Sequence, residues 1–257
     1  MDVNLKGKKA LITGSTSGIG QDIAMTLAKN GCDVCFNGRS AGKIEGLISE
    51  IRGMGQNAFF HSGDIWDYGQ VQELVNNAYQ DLGSIDILVV SGGSLEKVPG
   101  NYFLETDPEK FEDYAKGQWL SRMYVLRAAG PKLIEQDKAK VIFLGTDAGR
   151  WPTPGVSLPG GAGAALVMST KVLAQEFSRH GVRINTLSTT VTQNTPGLEN
   201  VLKARAAAKV FKKAVEKQPF PVYSRDVAQL ALYLASEESD GITGQTFSIN
   251  GGLSFPG

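Results

Sequence analysis

The chain has 257 residues, 42% of them hydrophobic, and 26 Lys+Arg balance 26 Asp+Glu, which leaves no basic field for nucleic acid and no polybasic patch for a membrane surface. No apolar run approaches the length of a bilayer span, and MDVNLKGKK leads into the first strand without an apolar targeting segment, so a cytoplasmic protein is expected. The only histidines are His61 and His180 and the only cysteines Cys32 and Cys35, so no metal site is expected and the two thiols read as buried and reduced.

Strand-like apolar runs occupy 9–13, 33–37, 58–61, 85–90, 140–144, 183–188 and 245–249. Helical periodicity fills 18–30, 41–54, 68–81, 108–136, 160–180 and 224–236. This alternation predicts one α/β domain over 1–257: a doubly wound parallel sheet of the Rossmann type, about seven strands with helices on both faces. Ligands are expected at the carboxyl ends of the strands.

The first strand runs into KALITGSTSGIG at 9–20, a strand, a glycine turn and a helix start in that order. Such a turn is either an ordinary tight connection or a phosphate cradle. Its place at the head of an alternating β/α chain favours a dinucleotide site using Gly14, Ser17, Gly18, Ile19 and Gly20. At the end of the second strand, where an acidic residue would favour NAD, stands Gly38 followed by Arg39. An arginine pairs with a 2′-phosphate, so NADP is favoured, with NAD possible.

The spacing T-G-x-x-x-G-x-G resembles the cofactor loop of the short-chain dehydrogenase/reductase family, and the resemblance covers nearly the whole chain. It implies an oxidoreductase acting on a small molecule, with Asp64 and Ile65 at the adenine. Where the family has N-N-A-G, the fourth strand ends in Val90-Ser91-Gly92-Gly93; Gly92 and Gly93 still allow close approach to a ribose, and Ser91 and Gly92 are expected in the cofactor site. The closing segments, 224–228 and 242–252, resemble the family's last helix and strand.

The resemblance also implies a catalytic frame, and here the chain departs from it. The Ser position is Thr146, the Tyr position Pro159, the Lys position Gly163 and the Asn position Gln118; no tyrosine occurs between Tyr124 and Tyr223. Thr146 keeps a hydroxyl for a substrate oxygen, whereas Pro159 moves no proton and Gly163 holds no ribose. Asp147, Lys171, Glu96, Lys97 and Arg150 are weighed as replacements and none is convincing. Ser157 is expected to cap the following helix with Pro159 in its first turn. The small-residue run 160–165 is expected to admit another helix or a bulky ligand.

Segment 189–221 reads as a substrate lid with one helix near 198–217, or equally as a solvated surface helix. Three functions stay open: an oxidoreductase with altered chemistry, an inactive pseudoenzyme subunit beside an active partner, and non-redox chemistry in the same cleft. A homo- or hetero-oligomer is expected through the helices at 108–136 and 160–180, with the C-terminal tail reaching an adjacent subunit.

Overall fold

The computed structural model describes the chain except for residues 1–2, 43, 94–96, 99, 137, 204–206 and 257. Strands β1 (Lys9–Thr13), β2 (Asp33–Gly38), β3 (Ala58–Ser62), β4 (Ile87–Val90), β5 (Lys140–Thr146), β6 (Arg183–Thr189) and β7 (Thr246–Ile249) form one sheet in the order β3-β2-β1-β4-β5-β6-β7. Every pairing is parallel. The chain starts at the centre, builds outward to β3, then returns to β4 on the other side of β1. That reversal opens a crevice above the carboxyl ends of β1 and β4.

Side chains alternate along each strand, so neighbouring residues feed opposite cores. Ala10 and Ile12 join Ile23, Leu27, Val227 and Leu232 under helices α1 (Gly18–Lys29) and α9 (Ser224–Ala235); α2 (Ile44–Gly53) adds Ile44 and Ile51. Leu11, Leu88 and Phe143 point the other way, toward α3 (Tyr68–Leu82) and the helices after β4 and β5. Cys32 and Cys35 are buried and unpaired. Burial raises both thiol pKa values, that of Cys35 to about 12. No described helix is long and apolar enough to cross a membrane.

The helix expected at 108–136 is interrupted. A 3-10 turn at Pro108–Lys110 leads into α4 (Phe111–Ala115), a π-helical turn at Lys116–Leu120, and α5 (Ser121–Leu133). Gly117 lies in the π turn because a Cβ there would come within 3.1 Å of both Gly93 O and Trp66 Cζ2. Helical periodicity cannot reveal an extra residue set in by a neighbouring strand end. Of the helix expected near 198–217, α7 (Pro196–Lys203) and α8 (Ala207–Lys217) are described, and residues 204–206 between them lie outside the described residues.

Helix α6 (Ser157–Ser178) begins one residue earlier than a Ser157 cap would require. Val156 holds the cap position, Ser157 is the first helical residue, and Pro159 remains in the first turn, where its missing N–H costs nothing. At α9, likewise, Tyr223 precedes the helix and its N–H donates to Asp226 Oδ2 at 2.8 Å.

A candidate nucleotide and active-site cleft

A cleft of about 950 Å³ lies at the carboxyl ends of the strands. Its near wall is the β1–α1 turn, with Gly14, Ser17, Gly18, Ile19 and Gly20 all lining it. Gly14 has φ +57°, and a Cβ there would stand 2.7 Å from Gly92 Cα. A Cβ on Gly20 would meet Gly14 O at 2.5 Å. The β1 and β4 turns therefore touch backbone to backbone, and only glycine permits it. Asn37 holds the turn from the side, accepting from Gly14 N–H at 3.3 Å and donating to His61 O and Gly63 O, each at 3.2 Å. Ser17 precedes α1 without committing its hydroxyl to the cap. The open helix N-terminus above these glycines fits a pyrophosphate.

Arg39 lines the cleft where β2 ends and is exposed. The acidic alternative at position 38 has no room, since a Cβ on Gly38 would lie 2.6 Å from Thr16 Cγ2. Asp64 and Ile65 line the same end; Asp64 Oδ1 accepts from Trp66 N–H at 3.0 Å, and Oδ2 lies 3.8 Å from Lys97 Nζ. Ser91 and Gly92 border the middle of the cleft, and Thr13 Oγ1 donates to Ser91 O at 2.8 Å. Thr146, Gln118 and Pro159 line the far end, with α7 and α8 contributing Val201 and Phe211. The cofactor residues named from the sequence thus border one cavity with Thr146, Gln118 and Pro159, whereas Gly163, Lys97 and Arg150 do not line it. Glu96 lies outside the described residues, and Lys171 is exposed on α6. Among the described residues no group of three His, Cys, Asp or Glu is placed to hold a metal.

The chain matches the model of a family described as enoyl-(acyl carrier protein) reductase over residues 14–254. It is 26% identical over 251 residues to 3-oxoacyl-[acyl-carrier-protein] reductase FabG of Staphylococcus aureus, covering 96% of this chain and 98% of that protein. It belongs to the short-chain dehydrogenase/reductase family. A dehydrogenase/reductase from Sinorhizobium meliloti 1021 shares the fold with a TM-score of 0.87 and 26% identity, over 99% of this chain and 98% of that one. A short-chain dehydrogenase from Burkholderia cenocepacia J2315, solved in complex with NADP, superposes with a TM-score of 0.86 at 24% identity, over 97% and 99% of the two chains.

Within this family fold, α6 packs directly on the turn that follows β5. A Cβ on Gly163 would stand 2.9 Å from Thr146 Cγ2 and 3.2 Å from Gly149 Cα; one on Gly160 would meet Ala148 O at 2.8 Å. Gly160 and Gly163 of the small-residue run are therefore covered by the chain's own turn, Asp147–Gly149, while Gly161 and Ala164 of the same run are exposed. Thr146 takes part in this turn, its Oγ1 accepting from Ala148 N–H at 3.3 Å.

Two features went unread in the sequence. Asp147 is buried and accepts from Ser248 Oγ at 2.5 Å, Asn250 Nδ2 at 2.8 Å and Thr190 Oγ1 at 3.4 Å, with Arg150 Nη2 3.6 Å away. The C-terminal tail follows it inward: Asn250 Nδ2 donates to Ser254 O at 2.9 Å, and Ser254 lines the cleft, so the tail folds over its own subunit up to that residue. Arg122 is also buried, donating through Nη2 to Gly92 O at 2.6 Å and Leu144 O at 3.3 Å, and through Nη1 to Ser121 Oγ at 2.9 Å and to Gly117 O. Burial alone lowers its pKa, to about 10, so it is charged at neutral pH. Its place four residues after Gln118, on the face shared with Val125 and Leu126, was the available signal.

Asp147→Ala would remove the acceptor shared by Ser248, Thr190 and the buried Asn250, together with the carboxylate beside Arg150, which keeps its bond to Ser248 Oγ at 2.6 Å. We expect a loss of about 1–3 kcal/mol, read as a lower urea midpoint at unchanged slope. An unchanged midpoint would show that water replaces the carboxylate.

Proposed function

We propose that this chain is a cytoplasmic, NADP(H)-binding member of the family in which the phenol–lysine proton transfer has been lost, so that reduction of ordinary ketones is slow. The observation that carries the reading is the contact between Gly163 and the Thr146–Gly149 turn, where the Thr146 methyl and the Gly149 backbone crowd the place a lysine Cβ would take. In this reading the glycine turn and the α1 N-terminus hold the pyrophosphate, Arg39 meets the 2′-phosphate, Asp64 and Ile65 border the adenine, and Ser91 and Gly92 border the ribose. A bound NADPH would supply hydride.

Thr146 is then the one side chain of the usual frame still able to bind a substrate oxygen, and solvent must supply the proton. Asp147 does not serve as the acid, because its oxygens are engaged by Ser248, Asn250 and Thr190. The pair α7–α8 covers the far end of the cleft as a lid over a small-molecule ligand; Val201 and Phe211 make that end apolar.

Calorimetry is expected to show NADPH binding more tightly than NADH, and Arg39→Ala is expected to remove most of the difference. Equal or reversed preference in the parent protein sinks the assignment of Arg39.

Turnover of simple ketones is expected to fall about 10²–10⁴ below a relative that carries the phenol, the contribution of a positioned proton donor. Robust turnover that disappears on changing Thr146 would restore the enzymatic reading with an acid other than the phenol.

A second reading, a subunit retained for assembly in a homo- or hetero-oligomer, is favoured by the outer face of α6. Met168 and Val172, one turn apart, are 61% and 46% exposed. Light scattering at micromolar concentration is expected to give at least a dimer, and Met168→Glu a smaller species; a clean monomer in the parent protein defeats this reading.

A further inference from the structure

Arg122 presents a buried positive charge to the floor of the cleft, and among the described residues no anion stands beside it. Its Nη and Nε donors go to three backbone carbonyls, those of Gly92, Gly117 and Leu144, and to one hydroxyl, Ser121 Oγ. These acceptors are neutral, and burial is the cause of its altered proton affinity. Buried charges ordinarily find a counterion. The side chain is therefore saturated in hydrogen bonds and uncompensated in charge.

Its position gives that charge a target. Gly92 follows β4 and Leu144 lies near the end of β5, so the guanidinium sits beneath the gap between these two strands. With the pyrophosphate at the β1–α1 turn and the adenosine toward β2 and β3, the sheet order sends the other half of a dinucleotide over that gap. Oxidised nicotinamide carries a positive charge and reduced nicotinamide none. Every other part of the two molecules is the same. A fixed cation within roughly 10 Å of a second one, at an effective dielectric of about 20, disfavours it by roughly tenfold or more. The acidic group on the same wall, Asp147, is offset by Arg150 at 3.6 Å.

We propose that Arg122 sets the redox-state preference of the cleft, disfavouring the cationic oxidised nicotinamide so that NADPH is held and NADP⁺ is rejected. This rests on the nucleotide reading above. It acts through charge and not through a hydrogen bond to the ligand, since the guanidinium donors are already engaged. Arg122 is thus a specificity-determining residue that never touches the cofactor.

The test is calorimetric binding of NADPH, NADP⁺ and 2′,5′-ADP, the last lacking nicotinamide, to the parent protein and to Arg122→Met and Arg122→Lys. The parent is expected to bind NADPH about tenfold or more tightly than NADP⁺. Arg122→Met is expected to bring the two within about threefold, Arg122→Lys to keep most of the preference, and 2′,5′-ADP to bind all three proteins alike. The proposal is overturned if the parent binds both nucleotides equally. It is also overturned if Arg122→Met binds 2′,5′-ADP normally yet keeps the full preference. Should the methionine variant not fold, the parent ratio and the lysine variant still decide: a folded lysine variant that loses the preference assigns it to the geometry of the arginine and overturns a charge effect. If the parent binds neither NADPH nor 2′,5′-ADP, the nucleotide reading itself has failed, a distinct result.

Discussion

One guanidinium ties the carboxyl ends of two central strands to the helical segment that runs beneath them. Arg122 reaches Gly92 after β4, Leu144 in β5 and Gly117 in the π-helical turn. Without a donor there, the buried Leu144 and Gly117 carbonyls would lose this partner, at a cost of about 1–3 kcal/mol for each one left unsatisfied. The fourth strand lacks the asparagine amides with which the resembled family braces this region. Here the brace comes from a side chain on the neighbouring helix. The same choice puts a charge under the cleft, so a device that holds the scaffold also shapes what the cleft accepts.

The opposite wall is held by proximity instead of charge. Gly14 and Gly92 approach so closely that neither could carry a side chain, and Gly20 fits under Gly14 O. Asn37 then locks the turn to β3 through His61 O and Gly63 O. Phosphate binding of this kind needs N–H groups already aimed and no side chains in the way. These contacts meet both conditions before any ligand arrives.

How far all this could be read from the sequence depended on whether the cause was local. Strands β1 to β7 stand within about two residues of where their apolar runs put them, because period and turn residues are local signals. The glycine turn, Arg39, Asp64 and Thr146 were placed on one cleft by the order of strands and helices. The π turn at Lys116–Leu120 was invisible, since its close packing at Gly117 is against Gly93 and Trp66, residues distant in sequence. Arg122 read as one charge among apolar helix residues, and only the fold showed the carbonyls around it. Asp147 was weighed as a replacement acid and set aside. It is turned toward β7 and the tail, where it accepts from Ser248 and Asn250.

The contact between Gly149 and Gly163 also restricts where this sequence can go next. A Cβ on Gly149 would lie 2.5 Å from Gly163 C, and one on Gly163 would strike Thr146. Bulk added at Gly149 would wedge α6 away from the turn, because it meets main chain at once, whereas bulk added at Gly163 would press first on the Thr146 methyl. The two halves of one contact therefore differ in how readily each can change, and the helix side is the freer of the two.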